Sequence, residues 1–372
     1  MSKDSSFPQK PVAQLLGSNG PIHAVSYSAS PGTYILTGSA DRSIRLYNPF
    51  PSTTTTTTSS SSSSSSITGP PQPQIPSGRL IQTYSAHGYE VLSLAVAGDN
   101  ARFASAGGDR AVFLWDVVTA QTTRRFGATA NGHSGRVNCV VFGGADDSLV
   151  ISGGLDTTVR VWDARAGGSK PVQVLGEAKD AVTALAVVGA EIVAASVDGR
   201  VRCYDVRAGR AVTDVFPASV TSLCLARDAK TMLVGSLDSK IRLMDRADGA
   251  CLRTYEHAGW SNAELRVQSV LGGRERFVVA GDEMTAPAPA AEENNNNEGR
   301  VWAWDLLTGR LVARVAVPWG PSDGRRRVVV GRDGKEKERK NVVSCLAWKE
   351  GGFGNQFCVG GTSGVVTVFG EG

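Results

Sequence analysis

The chain has 372 residues, 41% of them hydrophobic, which is ample for a globular core. Its formal charge of +4 is too small to argue for nucleic acid by itself, and no run approaches the roughly 18 apolar residues of a membrane span. The opening MSKDSSFPQKPVAQLL lacks the apolar stretch of a signal peptide.

Residues 1–10 read as a flexible N-terminus, and PVAQLL (11–16) as a strand with no repeat of its own. From there one pattern recurs: a turn Asp, a short β-branched run, then an aromatic followed by Asp. It closes at Tyr47, Trp115, Trp162, Tyr204, Met244, Trp304 and Phe369, with Met244 in the aromatic position. The intervals are 68, 47, 42, 40, 60 and 65 residues. Three lie close to the ~40–45 of a WD repeat, and each of the others holds an insertion. Unit three, Gly132 to Asp163, divides into four short runs bounded by Gly, Asp or Ser: 137–142, 149–154, 158–163 and 171–175. Strand beats helix throughout.

Seven four-stranded units predict an all-β fold, a seven-bladed WD40 β-propeller occupying 11–372 as one domain. The last unit ends after three strands, leaving an edge that needs covering. PVAQLL is expected to supply the missing outer strand and close the ring.

Three insertions interrupt the pattern. Residues 51–78 are Ser/Thr/Pro-rich, without apolar residues to bury, and are expected to be disordered. Residues 284–299 are acidic and Asn-rich, and 318–341 are basic, with Arg325, Arg326 and Arg327 partly offset by Asp333, Glu336 and Glu338. The first falls between the third and fourth strands of its blade. The second splits the second and third strands of blade six and the third joins blade six to blade seven, so both fall on the opposite face. A basic loop attracts RNA or an acidic partner, but only Trp319 is present for base stacking.

His87, Ser105, Asp109 and Trp115 in unit two match His133, Ser152, Asp156 and Trp162 in unit three. Ser, His and Asp together suggest a hydrolase triad. The set occurs twice, however, and no G-x-S-x-G elbow accompanies it. The stronger reading is a hydrogen-bond network across the strands, from Asp to His to Ser to the Trp indole. Elsewhere it decays: Ser18, Ala178 and Phe216 stand at the His position, and Thr362 is where unit seven should have Asp. Blades two and three are therefore expected to be the stiffest, and six and seven the loosest. No phosphate loop, dinucleotide fingerprint or H-E-x-x-H metal motif occurs, so no catalytic residue, cofactor or metal is expected. The six cysteines form no C-x-x-C pair and read as small buried hydrophobes in a reducing compartment.

AHGYEVLSLAV (86–96), GGDRAVFLWDV (107–117), GHSGRVNCVVF (132–142) and VDGRVRCYDVRAGR (197–210) resemble the mitogen-activated protein kinase organizer family, WD repeat domain-containing protein 83. The resemblance implies a non-enzymatic scaffold in nucleus and cytoplasm, monomeric within larger complexes. Its implied partners are splicing factors of the spliceosome, kinase-cascade components, or both, with RNA met only indirectly. Two alternatives stay open: an RNA-binding propeller using the 318–341 loop, and a substrate receptor of a ubiquitin ligase. Partner binding is expected on the rim around the channel, where Tyr89, Glu90, Arg110, Arg136 and Asp180 are the candidates.

Overall fold

The computed structural model describes residues 7–50, 75–127, 131–286, 298–320, 328–330, 336–349 and 355–371. Unit three shows how the sequence sets the local structure. Its strands are Val137–Gly143, Leu149–Gly154, Val159–Asp163 and Gln173–Leu175, paired antiparallel in that order. The β-branched residues suit a pleated surface buried on both faces, and Gly and Asp supply the turns.

The other blades are built alike. Blade one comprises Ile22–Tyr27, Ile35–Ser39, Ser43–Asn48 and Arg79–Ser85. Blade two comprises Val91–Val96, Arg102–Gly107, Val112–Asp116 and Thr122–Phe126. Blade four runs from Val182 to Val215, blade five from Val220 to Tyr255 and blade six from Ser269 to Val317. The protein is an all-β, seven-bladed β-propeller. Its one helical turn among the described residues is the 3₁₀ segment Ala145–Asp147.

The seventh blade is made from both ends of the chain. Strands Val343–Trp348, Gln356–Gly361 and Val366–Gly370 are completed by Lys10–Leu15, which pairs antiparallel with the last of them. The packed structure reaches ahead of the expected boundary at residue 11. The Phe7 ring is 4% exposed and lies edge-on to Phe277 of blade six at 5.3 Å and beside Phe357 of blade seven at 5.4 Å. An aromatic from the N-terminal segment therefore packs in the seam between blades six and seven, which periodicity could not reveal.

The core lies between blades. One cluster joins Phe277 and Val301 of blade six to Leu346 and Phe357 of blade seven, and another joins Val140 and Trp162 to Ala104 and Leu114. Around the axis, side chains of each first strand bond to the next blade. Asn138 Nδ2 donates to Val182 O at 2.9 Å, Thr183 Oγ1 to Val220 O at 2.8 Å, and Ser222 and Ser269 share a bond of 2.7 Å. Each stitches neighbouring blades without leaving buried polar groups unpaired.

The insertion boundaries are sharper than expected. Residues 51–74 and 287–297 lie outside the described residues. The end of the first insertion, however, pairs with the closing strand: Gln14 N donates to Pro76 O and Gly78 N to Gln14 O, both at 2.8 Å. Met284, at the start of the second, is buried, the exposed Thr285 donates its hydroxyl to Glu283, and Lys340 Nζ donates to Met284 O at 2.7 Å. Within 318–341, Val328–Val330 and Glu336–Glu338 form a two-stranded ribbon where a loop was expected.

The cysteine expectation needs one correction. Cys139, Cys345 and Cys358 are buried and Cys203 and Cys224 half-buried, but Cys251 is exposed on the outer strand of blade five. An outer strand offers one face to water, so a small residue there need not pack.

Candidate protein-binding rim and the network beneath it

In blade two, His87 Nδ1 lies 2.8 Å from Asp109 Oδ2 and Nε2 lies 2.6 Å from Ser105 Oγ, while Trp115 Nε1 donates to the same Oγ at 2.8 Å. Blade three repeats the arrangement with His133, Asp156, Ser152 and Trp162, all at 2.8 Å. Donors and acceptors match with the proton on Nδ1: indole N–H to serine oxygen, serine O–H to Nε2, Nδ1–H to carboxylate. Ser105 and Ser152 are both 0% exposed. Each serine is sealed from water and has its proton and an oxygen lone pair engaged, so no substrate can reach it.

The two copies differ at the carboxylate. Asp156 Oδ2 also accepts the Ser134 N–H at 3.0 Å, and Oδ1 accepts the Thr158 hydroxyl at 2.9 Å. Burial alone would raise the Asp156 carboxyl, but these bonds and the one from His133 hold it well below the usual carboxylate range. Asp109 Oδ1 is buried with no partner.

Elsewhere the network is replaced as well as lost. In blades one, four and five an arginine four residues after the turn Asp takes the place of histidine. Arg202 Nη2 donates to Asp198 Oδ2 at 2.7 Å and Nη1 to Ser196 Oγ at 2.9 Å. Arg242 makes the same bonds to Asp238 and Ser236, and Arg45 bridges Asp41 and Ser18. The signal was legible as D-x-x-x-R without a histidine in the preceding loop, in DRSIR, DGRVR and DSKIR; blade three has DTTVR beside its histidine, with Arg160 3.6 Å from Asp156. In blade four, burial would raise Asp198, but Arg202, Ser196 and the Lys179 N–H bring it down to about 2.

Blades six and seven carry corrections of their own. Trp304 Nε1 is buried with no acceptor, because Ala280 occupies the register of Ser105 and Ser152. Blade six instead sets Asp282 under the Trp302 indole at 2.8 Å and Glu283 on the N–H groups of Ala263, Glu264 and Leu265. In blade seven the turn position is Ser363, one residue beyond the expected Thr362. It stands six residues before Phe369, as Asp156 stands before Trp162. Its hydroxyl accepts the Val365 N–H at 3.3 Å, and left-handed Gly364 follows it (φ +72°), as left-handed Thr157 follows Asp156.

The rim rests on this scaffold. Tyr89, 65% exposed, follows His87 in the loop entering blade two. A Cβ on Gly107 would fall 2.1 Å from Glu90 O, so only glycine lets that loop sit down on the blade. Glu90 lies 3.6 Å from His23 of blade one. Arg110, in the left-handed region at φ +61°, and Asp180 are exposed on the same face. Glu90 and Arg136 line a cavity of about 390 Å³ at the channel mouth, together with His23, Asn138, Arg266 and Gln268. His23 and Arg266 were missed from the sequence. On the opposite face, apolar clefts of about 740 Å³ and 400 Å³ open between blades three and four and between blades one and two. Among the described residues no cluster of three or more His, Cys, Asp or Glu could hold a metal ion.

These features define a WD-repeat β-propeller, a fold that typically serves as a non-enzymatic scaffold and binds other proteins. The model of the WD domain, G-beta repeat, matches residues 9–48, 78–116 and 124–163. Each match starts at the outer strand of one blade and ends with the third strand of the next, which is how the N-terminal strand comes to close the ring.

The chain is 36% identical to WD repeat domain-containing protein 83 of Rattus norvegicus, over 84% of this chain and 84% of that one. The same figures hold for WD repeat domain-containing protein 83 of Homo sapiens. It is 25% identical to the WD repeat domain-containing protein 83 homolog of Dictyostelium discoideum, over 81% of this chain and 87% of that one. The chain belongs to the WD repeat domain-containing protein 83 family.

Proposed function

We propose that the protein is a non-enzymatic scaffold that assembles multiprotein complexes in nucleus and cytoplasm, in pre-mRNA splicing, in mitogen-activated protein kinase cascades, or in both. The observation that carries the reading is Tyr89: a large aromatic side chain, mostly in water, held on a stiffened loop beside the channel mouth. A rigid exposed aromatic next to a cavity is the kind of anchor that concentrates binding energy at interfaces.

The test is affinity purification of the tagged protein from nuclear and cytosolic extracts, alongside Tyr89→Ala. Splicing factors or cascade kinases captured by the wild type and depleted at least tenfold by Tyr89→Ala support the reading. Capture that survives Tyr89→Ala but is lost with Val118→Glu, an 88% exposed valine on the opposite face, moves the binding surface there. Recovery of ligase subunits alone, or of RNA without protein, replaces the scaffold assignment.

A further inference from the structure

Seven positions each precede a buried Val or Ile at the entry to a blade: Pro21, Glu90, Arg136, Ala181, Ser219, Arg266 and Val342; all but Ala181 and Ser219 line the mouth cavity. In six blades a bulge follows, skipping one residue of the first strand. Four of the skipped residues, His23, Leu92, Asn138 and Ser344, line the mouth cavity. Blade six pairs from Ser269 without such a bulge. There Arg266 extends across the axis, and its Nη1 donates to Asn138 O of blade three at 2.9 Å.

This leaves two guanidiniums at the mouth, those of Arg136 and Arg266, outside any ion pair among the described residues, the Glu90 carboxylate of the same cavity lying against His23. Arg266 Nε is buried with no acceptor. Burial and the nearby Arg136 both push Arg266 below the ordinary arginine range. A half-buried cation without a counter-ion is destabilising for the fold alone. A planar donor fork beside an open cavity suits a bidentate oxyanion.

We propose that Arg136 and Arg266 form an oxyanion seat that takes an acidic side chain of a protein partner docked on the rim. The assignment rests on the scaffold reading above. The cavity, at about 390 Å³, is far larger than a lone anion and is lined by Glu90, the residue after the exposed Tyr89, so the anion arrives on a side chain.

The test is titration calorimetry on the full chain with three probes: a capped Gly-Glu-Glu-Glu-Gly peptide, its glutamine counterpart, and inorganic phosphate. Binding of the glutamate peptide that weakens at least tenfold in Arg136→Gln and in Arg266→Gln, with no binding of the glutamine peptide, supports the seat. No binding of the glutamate peptide, equal affinity for both peptides, or affinity unchanged in both variants overturns it. Phosphate binding without glutamate-peptide binding makes it a free-anion site and overturns the partner assignment.

Thermal melting separates this role from a structural one: Arg266→Gln should melt at or above the wild-type temperature without ligand. If Arg266→Gln does not fold, the exposed Arg136→Gln still decides the outcome. Equal capture of extract proteins by wild type and the double variant overturns the seat while leaving the scaffold intact. Absence of any capture by the wild type removes the scaffold reading itself.

Discussion

Leu15 pairs with Val366 across an antiparallel ladder, so residues 351 positions apart in sequence are neighbours in one blade. The ring is closed by hydrogen bonds and packing between the two ends of the chain. Deleting residues 1–18 should therefore destabilise the whole propeller and expose the edge of Val366–Gly370. Unchanged thermal unfolding would refute the closure. Phe7→Ala isolates the aromatic seam and should cost ~3 kcal/mol in urea unfolding.

The two histidine networks should not be equally sensitive. Asp156 holds four partners with both oxygens, whereas Asp109 leaves a buried oxygen unpartnered. Asp156→Ala should cost ~3 kcal/mol and Asp109→Ala less, because removing one member of a buried network leaves the rest unpaired. The exposed Asp180→Ala should stay within ~0.5 kcal/mol. Equal losses at Asp109 and Asp156 would contradict the difference.

Acid should weaken the fold through the turn aspartates. Asp41, Asp156, Asp198 and Asp238 all lie below the ordinary carboxylate range. A depressed group binds protons more readily in the unfolded chain, so its stabilisation is present above the unfolded value near ~4 and lost as pH falls through the folded one. For Asp198, at about 2 and nearly enclosed with Arg202, the contribution is on the order of 2 kcal/mol. Urea midpoints at pH 5 and pH 2.5 should converge between wild type and Asp198→Asn. A constant gap would remove the argument.

Blade six offers a repair. Ala280→Ser places a hydroxyl in the register that Ser105 and Ser152 occupy, within the strand facing Trp304. Satisfying the orphaned indole should stabilise the protein by ~1 kcal/mol. A loss of stability would show that the hydroxyl finds no acceptor for its own proton.

Native-state hydrogen exchange should rank the blades. Blades one to five, each tied by a histidine or arginine network, should exchange slowest, with blades six and seven fastest. Faster exchange in blades four and five than in six would show that the arginine bridges contribute little.

Much of this architecture is legible in the sequence. Seven units, the missing last strand and the two histidine networks follow from spacing within ~40 residues, because turns, strand alternation and hydrogen-bonding side chains are local signals. The arginine bridges were legible too, as D-x-x-x-R, but their partner serine lies at a different register from Ser105 and Ser152. Tertiary structure alone decided the rest. Phe7 finds its seam only because the ring closes, and Arg266 meets Asn138 O, 128 residues away, across the axis of the closed ring. The mouth cavity draws on blades one, two, three, six and seven, so its charge pattern exists only once their strand starts converge on an axis. Sequence determined the repeating unit because its chemistry is short-range. The ring decided the rim because convergence is a property of the closed fold.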